Sequence, residues 1–373
     1  MIYFDNAATT FPKPASVKRA VADCIERIGG NPGRGAHALS LLAAETVYDA
    51  RCAIAEFLGV PDPSSIVFTP NATYALNLAI YTRVKRGDHI LISDQEHNAV
   101  LRPVERLKQD GIAYYSVYSG KGDVLANLKK AETKETAIVI CNPVSNVTGN
   151  ILPVRLISSY AKERGYCLIL DGSQWIGHGT PDREVIGLAD AIAVPGHKAL
   201  YGIMGSGFLY LKDASGLAPF LSGGSGSESA NPEMPPYLPD RYEAGTQSTP
   251  AIASLAAGIR FIREQDPEGI AERERFLVRY ARERMSTVSG VRIYGNDDAA
   301  SSVLSFREAK RTPEETARRL DAEGFAVRAG LHCAPLVHRQ LGTYPEGTVR
   351  VSFGAFNTVK EVDRLVFVLR NFD

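Results

Sequence analysis

The sequence predicts an α/β fold in which a mostly parallel central sheet, covered by helices, is followed by a smaller C-terminal α+β domain. Short apolar segments alternate with helical patterns from Ser65 onward, which is typical of βα repeats. The length of 373 residues suggests more than one domain-sized unit. After Pro250 the pattern changes to long helices and separated strands, which indicates a second domain.

Six short apolar segments of the first domain are predicted strands, because each is bounded by turn residues. They are Ser65 to Phe68, His89 to Ser93, Ala137 to Cys141, Cys167 to Asp171, Ala191 to Val194 and Gly207 to Leu211. In such a sheet the functional loops lie at the carboxyl ends of the strands. The segment Ser222 to Asp240, rich in Gly, Ser and Pro, has no strand or helix period and is interpreted as a functional loop.

The second domain is predicted from helical patterns, strands and two capping boxes. The capping boxes at Thr312 to Glu315 and Thr358 to Glu361 predict where two of its helices begin. The remaining elements are a helical pattern from Pro250, another at Gly269 to Val288, and strands at Val291 to Tyr294 and Val303 to Phe306. We therefore divide the chain into an arm at residues 1–15, a large domain at 16–250 and a small domain at 251–373.

The bulk composition favours a cytoplasmic protein that acts on a small molecule. Forty-two basic and 42 acidic residues cancel, so no long-range field would draw the protein to nucleic acid or to an anionic membrane surface. The first residues lack the pattern of a secretory signal, and no segment approaches the roughly 18 apolar residues of a membrane span. Neither nucleic acid nor a membrane is expected as a partner.

The five cysteines predict neither a disulfide framework nor a metal site, because their number is odd and no two form a CxxC pair. Cys24, Cys52, Cys141 and Cys167 lie in helical or strand-like patterns and are expected to be small buried hydrophobes. Cys333 differs, because Arg328 and His332 nearby are neighbours that favour the thiolate.

Two strand ends present an acid and an amine. The strand Cys167 to Asp171 ends in a carboxylate, and the strand that ends at Val194 is followed by Pro-Gly-His-Lys198. A pyridine cofactor needs this combination, because the amine forms an imine and the carboxylate keeps the ring nitrogen protonated. Either residue alone is more often a turn cap or a solvated side chain, whereas the joint pattern is specific.

Several motifs resemble one superfamily. DGSQ at Asp171 to Gln174, GHK at Gly196 to Lys198 and the opening FDNAATT are similar to class V aminotransferases, which are fold type I enzymes that use pyridoxal 5′-phosphate (PLP). RAGLHCA at Arg328 to Ala334 resembles the RxGHHCA signature of one group of cysteine desulfurases. The likeness runs from Phe4 to the last helix. It implies PLP as cofactor, L-cysteine or a related amino acid as substrate, a homodimer, and a protein or small thiol as sulfur acceptor.

The resemblance also implies which residues contact the cofactor ring. Lys198 would form the imine and carry protons, and Asp171 would pair with the ring nitrogen. His97, in EHNAVLRP, would stack on the ring face as a further catalytic group. Asn146 and Gln174 would hydrogen-bond the ring hydroxyl.

The phosphate is expected where a strand, a turn and a helix N-terminus follow one another, because unpaired backbone N–H groups gather there. Ala72 and Thr73, in FTPNAT, match the phosphate-binding residues of the resembling enzymes, and the helix is expected to begin near Tyr74. His197 is expected to add a donor. Thr246, in EAGTQST, resembles the residue that reaches the phosphate from the partner subunit.

On the substrate side, Arg350 in TVRVS matches the residue that binds the substrate carboxylate, a task that suits the planar guanidinium. Arg328, Asn146 and Ala7 complete the expected substrate contacts. The resemblance makes Cys333 the nucleophile, which attacks the substrate sulfur and is left as a persulfide when alanine is released.

Three departures from the family pattern leave the substrate and the sulfur acceptor open. Pro195 replaces a phosphate-binding serine, Leu331 replaces the first histidine of HHC, and Gly33 occupies a position that is histidine in some relatives. Selenocysteine lyase, or β-elimination from cysteine or cystine, is the closest alternative, and elimination does not need Cys333. An aminotransferase is less expected. A scaffold without catalysis is disfavoured because every central position of the cofactor site holds the required residue type.

Overall fold

The computed structural model describes residues 1–33, 35–296 and 301–371. These residues form sheets of seven, four and two strands. In chain order the strands are β1 (Ile2–Tyr3), β2 (Ile66–Thr69), β3 (His89–Ser93), β4 (Tyr114–Tyr118), β5 (Thr136–Cys141), β6 (Cys167–Asp171), β7 (Ala191–Pro195), β8 (Gly207–Leu211), β9 (Val291–Tyr294), β10 (Val303–Glu308), β11 (Phe325–Ala326), β12 (Arg328–Gly330) and β13 (Thr348–Ser352).

Helices fill most of the segments between these strands. In chain order they are α1 (Ala15–Asp23), continued by a π-helical turn (Cys24–Ile28), α2 (Ala38–Leu58), α3 (Ala72–Arg83), α4 (Asn98–Gln109), α5 (Val124–Ala131), α6 (Val154–Arg164), α7 (Arg183–Leu188), α8 (Thr249–Glu264), α9 (Pro267–Ser286), α10 (Pro313–Ala322), α11 (Pro335–Leu341) and α12 (Val359–Arg370). Short 3₁₀ turns lie at Pro63–Ser65 and Gly172–Gln174.

The seven-stranded sheet has the order β2-β8-β7-β6-β5-β3-β4. Its strands are parallel except β8, which runs antiparallel to both β2 and β7. The predicted α/β class with a mostly parallel sheet is therefore confirmed. All six predicted strands are present, and β4 is an additional strand that the apolar pattern did not reveal because it is half-exposed at the sheet edge.

The sheet is covered on both faces, because successive side chains of a strand point to opposite sides. In β5, Ile138 and Ile140 pack into the apolar cluster that contains α3 and α4. Val139 and Cys141 pack into the other large cluster, which contains α2, α6 and α8. This double layer holds the strand ends rigidly in place.

The small domain is an antiparallel sheet with the order β12-β13-β10-β9, and α9 and α12 pack on it. The N-terminal arm joins this core, because β1 pairs with β11 and Phe4 packs edge-on against Phe353. The domain boundary predicted at residue 250 falls in the first turn of α8, yet Leu255 and Ile259 of that helix pack in the large-domain core. The change from one core to the other therefore comes after α8.

Two local predictions are also confirmed. Thr312 and Thr358 each form a complete capping box with the glutamate three residues later, at the starts of α10 and α12. Residues 222–240 contain turns and bends without a helix or strand. In the described part of the chain, no helix has the length and apolar character needed to span a membrane.

Candidate active site

A cavity of about 200 Å³ lies at the carboxyl ends of the parallel strands, where functional sites are expected in such sheets. Most of the predicted site residues line it. They are Ala7, Ala72, Thr73, His97, Asn146, Asp171, Gln174, His197, Lys198, Arg328 and Arg350. Cys333 and Thr246 do not.

Asp171 and Lys198 meet because β6 and β7 are parallel neighbours, with Asp171 opposite Ala193. Asp171 is 2% exposed, and its carboxylate accepts a hydrogen bond from Ser173 N at 3.0 Å. Burial lowers the pKa of the Lys198 amine to about 8, although the charge of Asp171 opposes the shift. An amine with a lowered pKa is more readily available as a nucleophile or base near neutral pH.

His97 caps the N-terminus of α4, and its Nδ1 accepts a hydrogen bond from Ala99 N at 3.0 Å. Because Nδ1 accepts, the proton of the neutral ring is on Nε2. Burial lowers the pKa of His97 to about 4, so the ring carries no charge at neutral pH. A neutral, fixed imidazole on the cavity wall suits the stacking role predicted for it.

The N-terminus of α3, where the phosphate is predicted to bind, lies at the cavity. Asn71 caps this helix by accepting a hydrogen bond from Tyr74 N at 2.9 Å. The helix begins at Ala72, two residues before the start predicted near Tyr74, so Ala72 and Thr73 both lie in its first turn. Backbone N–H groups of a first turn have no partner within the helix and are free to bind an anion.

His197 contributes a buried Nδ1 that has no hydrogen-bond partner among the described residues. Burial, with the charges of Lys198 and Lys13, lowers the pKa of His197 to about 4. Lys13 Nζ donates to the His197 carbonyl at 2.9 Å. The sequence offered no sign of this contact, because Lys13 lies far from His197 along the chain.

Two arginines form the substrate side of the cavity. Arg328 of β12 lies directly opposite Arg350 of β13 in an antiparallel pair, and both side chains reach the cavity. Arg350 is 2% exposed, and its Nη2 bonds Asp5 Oδ1 at 2.8 Å while Nη1 donates to the Asn146 carbonyl at 3.0 Å. Its Nε has no partner within the described chain. The ion pair with Asp5 was not predicted.

The two amide side chains expected near the ring hydroxyl are held by backbone carbonyls. Asn146 Nδ2 donates to the His332 carbonyl at 2.8 Å, and Gln174 Nε2 donates to the Ala7 carbonyl at 2.9 Å. Asn146 Oδ1 remains buried without a partner among the described residues. What Asn146 offers to a ligand is therefore an acceptor.

Cys333 lies beside the cofactor cavity rather than in it. It is half-buried and lines a second cavity of about 350 Å³, together with Tyr81 and Arg102. His97 lines both cavities, as do Thr73 and Ala99, so the two cavities adjoin there. The Cys333 carbonyl accepts a hydrogen bond from Asn98 N at 2.7 Å, which ties the loop to α4.

The backbone of the Cys333 loop is unusual. His332 and Cys333 have φ values of 48° and 58°, a left-handed conformation that is uncommon for residues other than glycine and often marks functional sites. Burial holds the pKa of His332 well below its usual value. Of the two neighbours expected to favour the thiolate, only Arg328 therefore brings a positive charge at neutral pH.

Thr246 is exposed and lines a groove that it shares with Gly33 and Gln247. Within one subunit it does not reach the cofactor cavity, and its contact across a dimer stays a prediction. Of the other departures from the family pattern, Pro195 ends β7 and lines the cavity, whereas Leu331 is half-buried next to His332.

The lining of the cavity fits PLP. Five buried atoms of its lining residues lack a partner among the described residues: His197 Nδ1, Asn142 Oδ1, Asn146 Oδ1, His332 Nδ1 and Arg350 Nε. Of these, His197, Asn146 and Arg350 belong to residues predicted to bind the phosphate, the ring hydroxyl and the substrate carboxylate. The first turn of α3 faces the same space as Asp171 and Lys198. No group of three His, Cys, Asp or Glu side chains in the described residues is placed to hold a metal ion.

Known proteins resemble this chain over almost its whole length. A probable cysteine desulfurase of Mycolicibacterium paratuberculosis is 34% identical over 99% of this chain, which spans 55% of that protein. One of Vibrio cholerae is 33% identical, over 98% of this chain and 92% of that protein. The apo structure of a cysteine desulfurase from Thermococcus onnurineus superimposes with a TM-score of 0.92 at 32% identity, covering 99% of this chain and 94% of that one.

The family model supports the same assignment. Residues 2–365 match the model described as aminotransferase class-V, and the match includes both the cofactor cavity and the Cys333 loop. The chain belongs to the class V aminotransferase family.

Proposed function

We propose that this chain is a PLP-dependent cysteine desulfurase that converts L-cysteine to L-alanine and takes up the sulfur on Cys333 as a persulfide. The main evidence is that Lys198, Asp171 and Arg350 line one cavity, while Cys333 lines the adjoining cavity. Relatives that cover nearly the whole chain carry the name cysteine desulfurase, which supports the same reaction.

Each residue of the cofactor cavity has a task that its surroundings suit. When bound, PLP would supply an acceptor for the electron pair left on the substrate α-carbon. Asp171 holds a proton on the ring nitrogen, and the neutral form of Lys198 takes the α-proton of the substrate. Arg350 binds the substrate carboxylate with the donors that Asp5 and Asn146 leave free.

Cys333 performs the sulfur transfer. Its thiolate attacks the substrate sulfur, so that an S–S bond forms and the C–S bond breaks. The electron pair of the broken bond stays with the carbon, which takes up protons and leaves as L-alanine. Because the two cavities adjoin at His97, the thiol has a short path from its own cavity to the substrate.

A second candidate is a C–S lyase acting by β-elimination on cysteine or cystine. It is favoured by the position of Cys333 outside the cofactor cavity, because elimination uses only the groups that line that cavity. Its products are pyruvate and ammonia in place of alanine.

The proposal includes a homodimer in which Thr246 of each subunit reaches the phosphate bound by the other. It also includes an acceptor for the persulfide sulfur, either a protein or a small thiol, and a cytoplasmic location. The opening of Cys333 toward the second cavity supports an acceptor that approaches from that side.

The deciding experiment incubates the PLP-loaded protein with L-cysteine and dithiothreitol, and measures sulfide, alanine and pyruvate. Wild type is compared with Cys333→Ala and with the control Cys52→Ala, another half-buried cysteine, which lies on α2. We expect equal amounts of sulfide and alanine from wild type and the control, and a loss of about 100-fold or more in Cys333→Ala because the nucleophile is gone. Pyruvate with sulfide, undiminished in Cys333→Ala, would identify the C–S lyase.

A further inference from the structure

His332 is a buried histidine in the cavity wall. It has no role in the proposed binding of the cofactor or in the proposed sulfur transfer. It is 4% exposed, it lines the cofactor cavity, and it directly precedes Cys333. Its carbonyl accepts a hydrogen bond from Asn146 Nδ2, which ties its backbone to the segment that carries Asn146. Its ring Nδ1 is buried and has no hydrogen-bond partner among the described residues.

A chain of hydrogen bonds determines which ring nitrogen carries the proton. Ser305 Oγ donates to the Val147 carbonyl at 2.6 Å, because a carbonyl can only accept. Thr348 Oγ1 donates in turn to Ser305 Oγ at 3.2 Å, so the Thr348 hydroxyl has no proton left for His332. His332 Nε2 lies 3.1 Å from the Thr348 carbonyl and 3.3 Å from its hydroxyl, and both atoms must accept. Nε2 is therefore the protonated nitrogen.

The unpartnered Nδ1 is consequently a bare acceptor. Burial keeps the pKa of His332 well below its usual value, and the charge of Arg350 acts in the same direction. A ring that resists protonation this strongly is a poor base for an ammonium or a thiol. It remains a good hydrogen-bond acceptor for either, because the contacts of Nε2 fix the ring in place and no described residue uses the Nδ1 lone pair.

The position of His332 decides which substrate group it meets. Lys198 and Asp171 occupy the wall toward which the substrate amine must turn, while Arg350 takes the carboxylate. The loop that carries His332 also carries Cys333, whose sulfur must meet the substrate sulfur in the proposed reaction. The remaining donor of L-cysteine, its S–H group, therefore faces the loop of His332.

We propose that His332 Nδ1 accepts a hydrogen bond from the substrate thiol and thereby selects L-cysteine in its S–H form. This rests on the proposed function, because it takes the substrate sulfur to be directed at the Cys333 loop. A selenol is more acidic than a thiol and is ionised at neutral pH. A selenolate has no proton to donate, so it would place its charge against a lone pair. The contact thus favours cysteine over selenocysteine.

The test uses two variants of His332, each of which keeps only one of the two hydrogen-bonding functions of the imidazole ring, the donor at Nε2 or the acceptor at Nδ1. In His332→Gln the longer amide places an N–H near the position of Nε2, so the bond to the Thr348 carbonyl is kept while the acceptor at Nδ1 is lost. In His332→Asn the shorter amide places an oxygen near the position of Nδ1 and gives up the bond to Thr348. The measurements are kcat/KM for L-cysteine and for L-selenocysteine at neutral pH, and the visible absorbance of bound PLP.

We expect His332→Gln to lower kcat/KM for L-cysteine by about three- to tenfold, the effect of one lost hydrogen bond, and not to lower kcat/KM for L-selenocysteine, because the repulsion by the lone pair is gone. The preference for cysteine then falls by at least the same factor. His332→Asn should retain the wild-type preference. Because the readout is a ratio between two nearly isosteric substrates, a partial loss of stability or of cofactor does not alter it.

Three outcomes would overturn the inference. An unchanged preference for cysteine in His332→Gln would show that Nδ1 does not bind the substrate thiol. Loss of the PLP absorbance in both variants would show that His332 has only a structural role. Failure of the proposed function is visible separately in wild type, which would then release no alanine from either substrate although it binds PLP. That result would remove the basis of the inference as well.

Discussion

The surroundings of Lys198 disfavour the charged form of its amine. Burial lowers its pKa to about 8 from an ordinary value of 10.5, and the guanidinium groups of Arg350 and Arg328 contribute to the shift. Between these two pH values the unfolded chain binds a proton that the folded chain releases. The unfolding free energy of the cofactor-free protein should therefore rise as the pH increases from 8 to 10.5.

A variant without the charge tests this cost. Lys198→Met should raise the unfolding free energy of the cofactor-free protein at pH 7 by about 1–3 kcal/mol, although it abolishes turnover. The difference from wild type should shrink as the pH rises from 8 through 10.5, because above this range the wild-type amine is neutral in both states. Urea unfolding across this pH range measures it, with Lys18→Met, an exposed lysine of α1, as the control. Equal pH profiles for wild type and Lys198→Met would contradict the prediction.

Among individual residues, the sequence predicted those that lie in distinctive motifs. It missed those whose role depends on contacts with residues distant in the chain. Asp171 and Lys198 were predicted because each ends a strand-like apolar segment. The acceptor on His332 was not, because it depends on a hydrogen-bond chain through Thr348 and Ser305 that no local pattern records. Asp5 lay within a recognised motif, but nothing in the sequence connected it with Arg350.

Among the elements, α3 is the helix whose N-terminus is proposed to bind the phosphate of PLP. Its cap, Asn71, stabilises the helix through Tyr74 N and also lines the cavity. A negative charge there improves the interaction with the helix dipole and opposes a bound phosphate. Helix stability and cofactor affinity should therefore respond in opposite directions to one substitution.

Asn71→Asp separates the two effects. The cofactor-free protein should be as stable as wild type or a few tenths of a kcal/mol more stable, because aspartate is an equally good cap. Affinity for PLP should fall by about tenfold, since a carboxylate near the phosphate costs on the order of 1–2 kcal/mol. Absorbance titration with PLP and urea unfolding give the two numbers, and Asn71→Ser, a neutral cap, is the control. Similar PLP affinities in Asp and Ser variants would place the phosphate elsewhere.

The elements that the sequence predicted are those with continuous apolar segments between turn residues, such as β3 and β6. The half-exposed strand β4 lacks such a segment. The reversed direction of β8 could not be predicted either, because a buried strand has the same apolar pattern in both directions. The two residues of β1 form a strand only because β11 pairs with them.

For the whole molecule, the main prediction is that two subunits form a homodimer in which each completes the other's site. Thr246 is exposed and outside the cofactor cavity of its own subunit, as a residue that serves a neighbouring subunit would be. If it does so, one intact site forms when a subunit lacking Lys198 pairs with a subunit lacking Thr246. Neither the domain boundary nor the subunit number follows from local sequence patterns, since both depend on surfaces assembled from distant segments.

Mixing the two variants tests the shared site. Lys198→Ala should be inactive alone, and Thr246→Ala should bind PLP more weakly. After equal amounts are mixed under conditions that exchange subunits, about a quarter of all sites should bind PLP with wild-type affinity and release sulfide, because about half of the dimers are mixed and one of the two sites in each is intact. A mixture no more active than the average of its parts would show that Thr246 acts within its own subunit or not at all.

The contact between Asp5 and Arg350 joins residues 345 positions apart. Contacts of such long range form late in folding, because the chain must close a large loop before they stabilise anything. The substrate side of the cavity thus cannot assemble on the ribosome until β13 has been synthesised, whereas the strands that carry Asp171 and Lys198 emerge much earlier. A nascent chain would hold the parts for binding the cofactor well before it could recognise an amino acid.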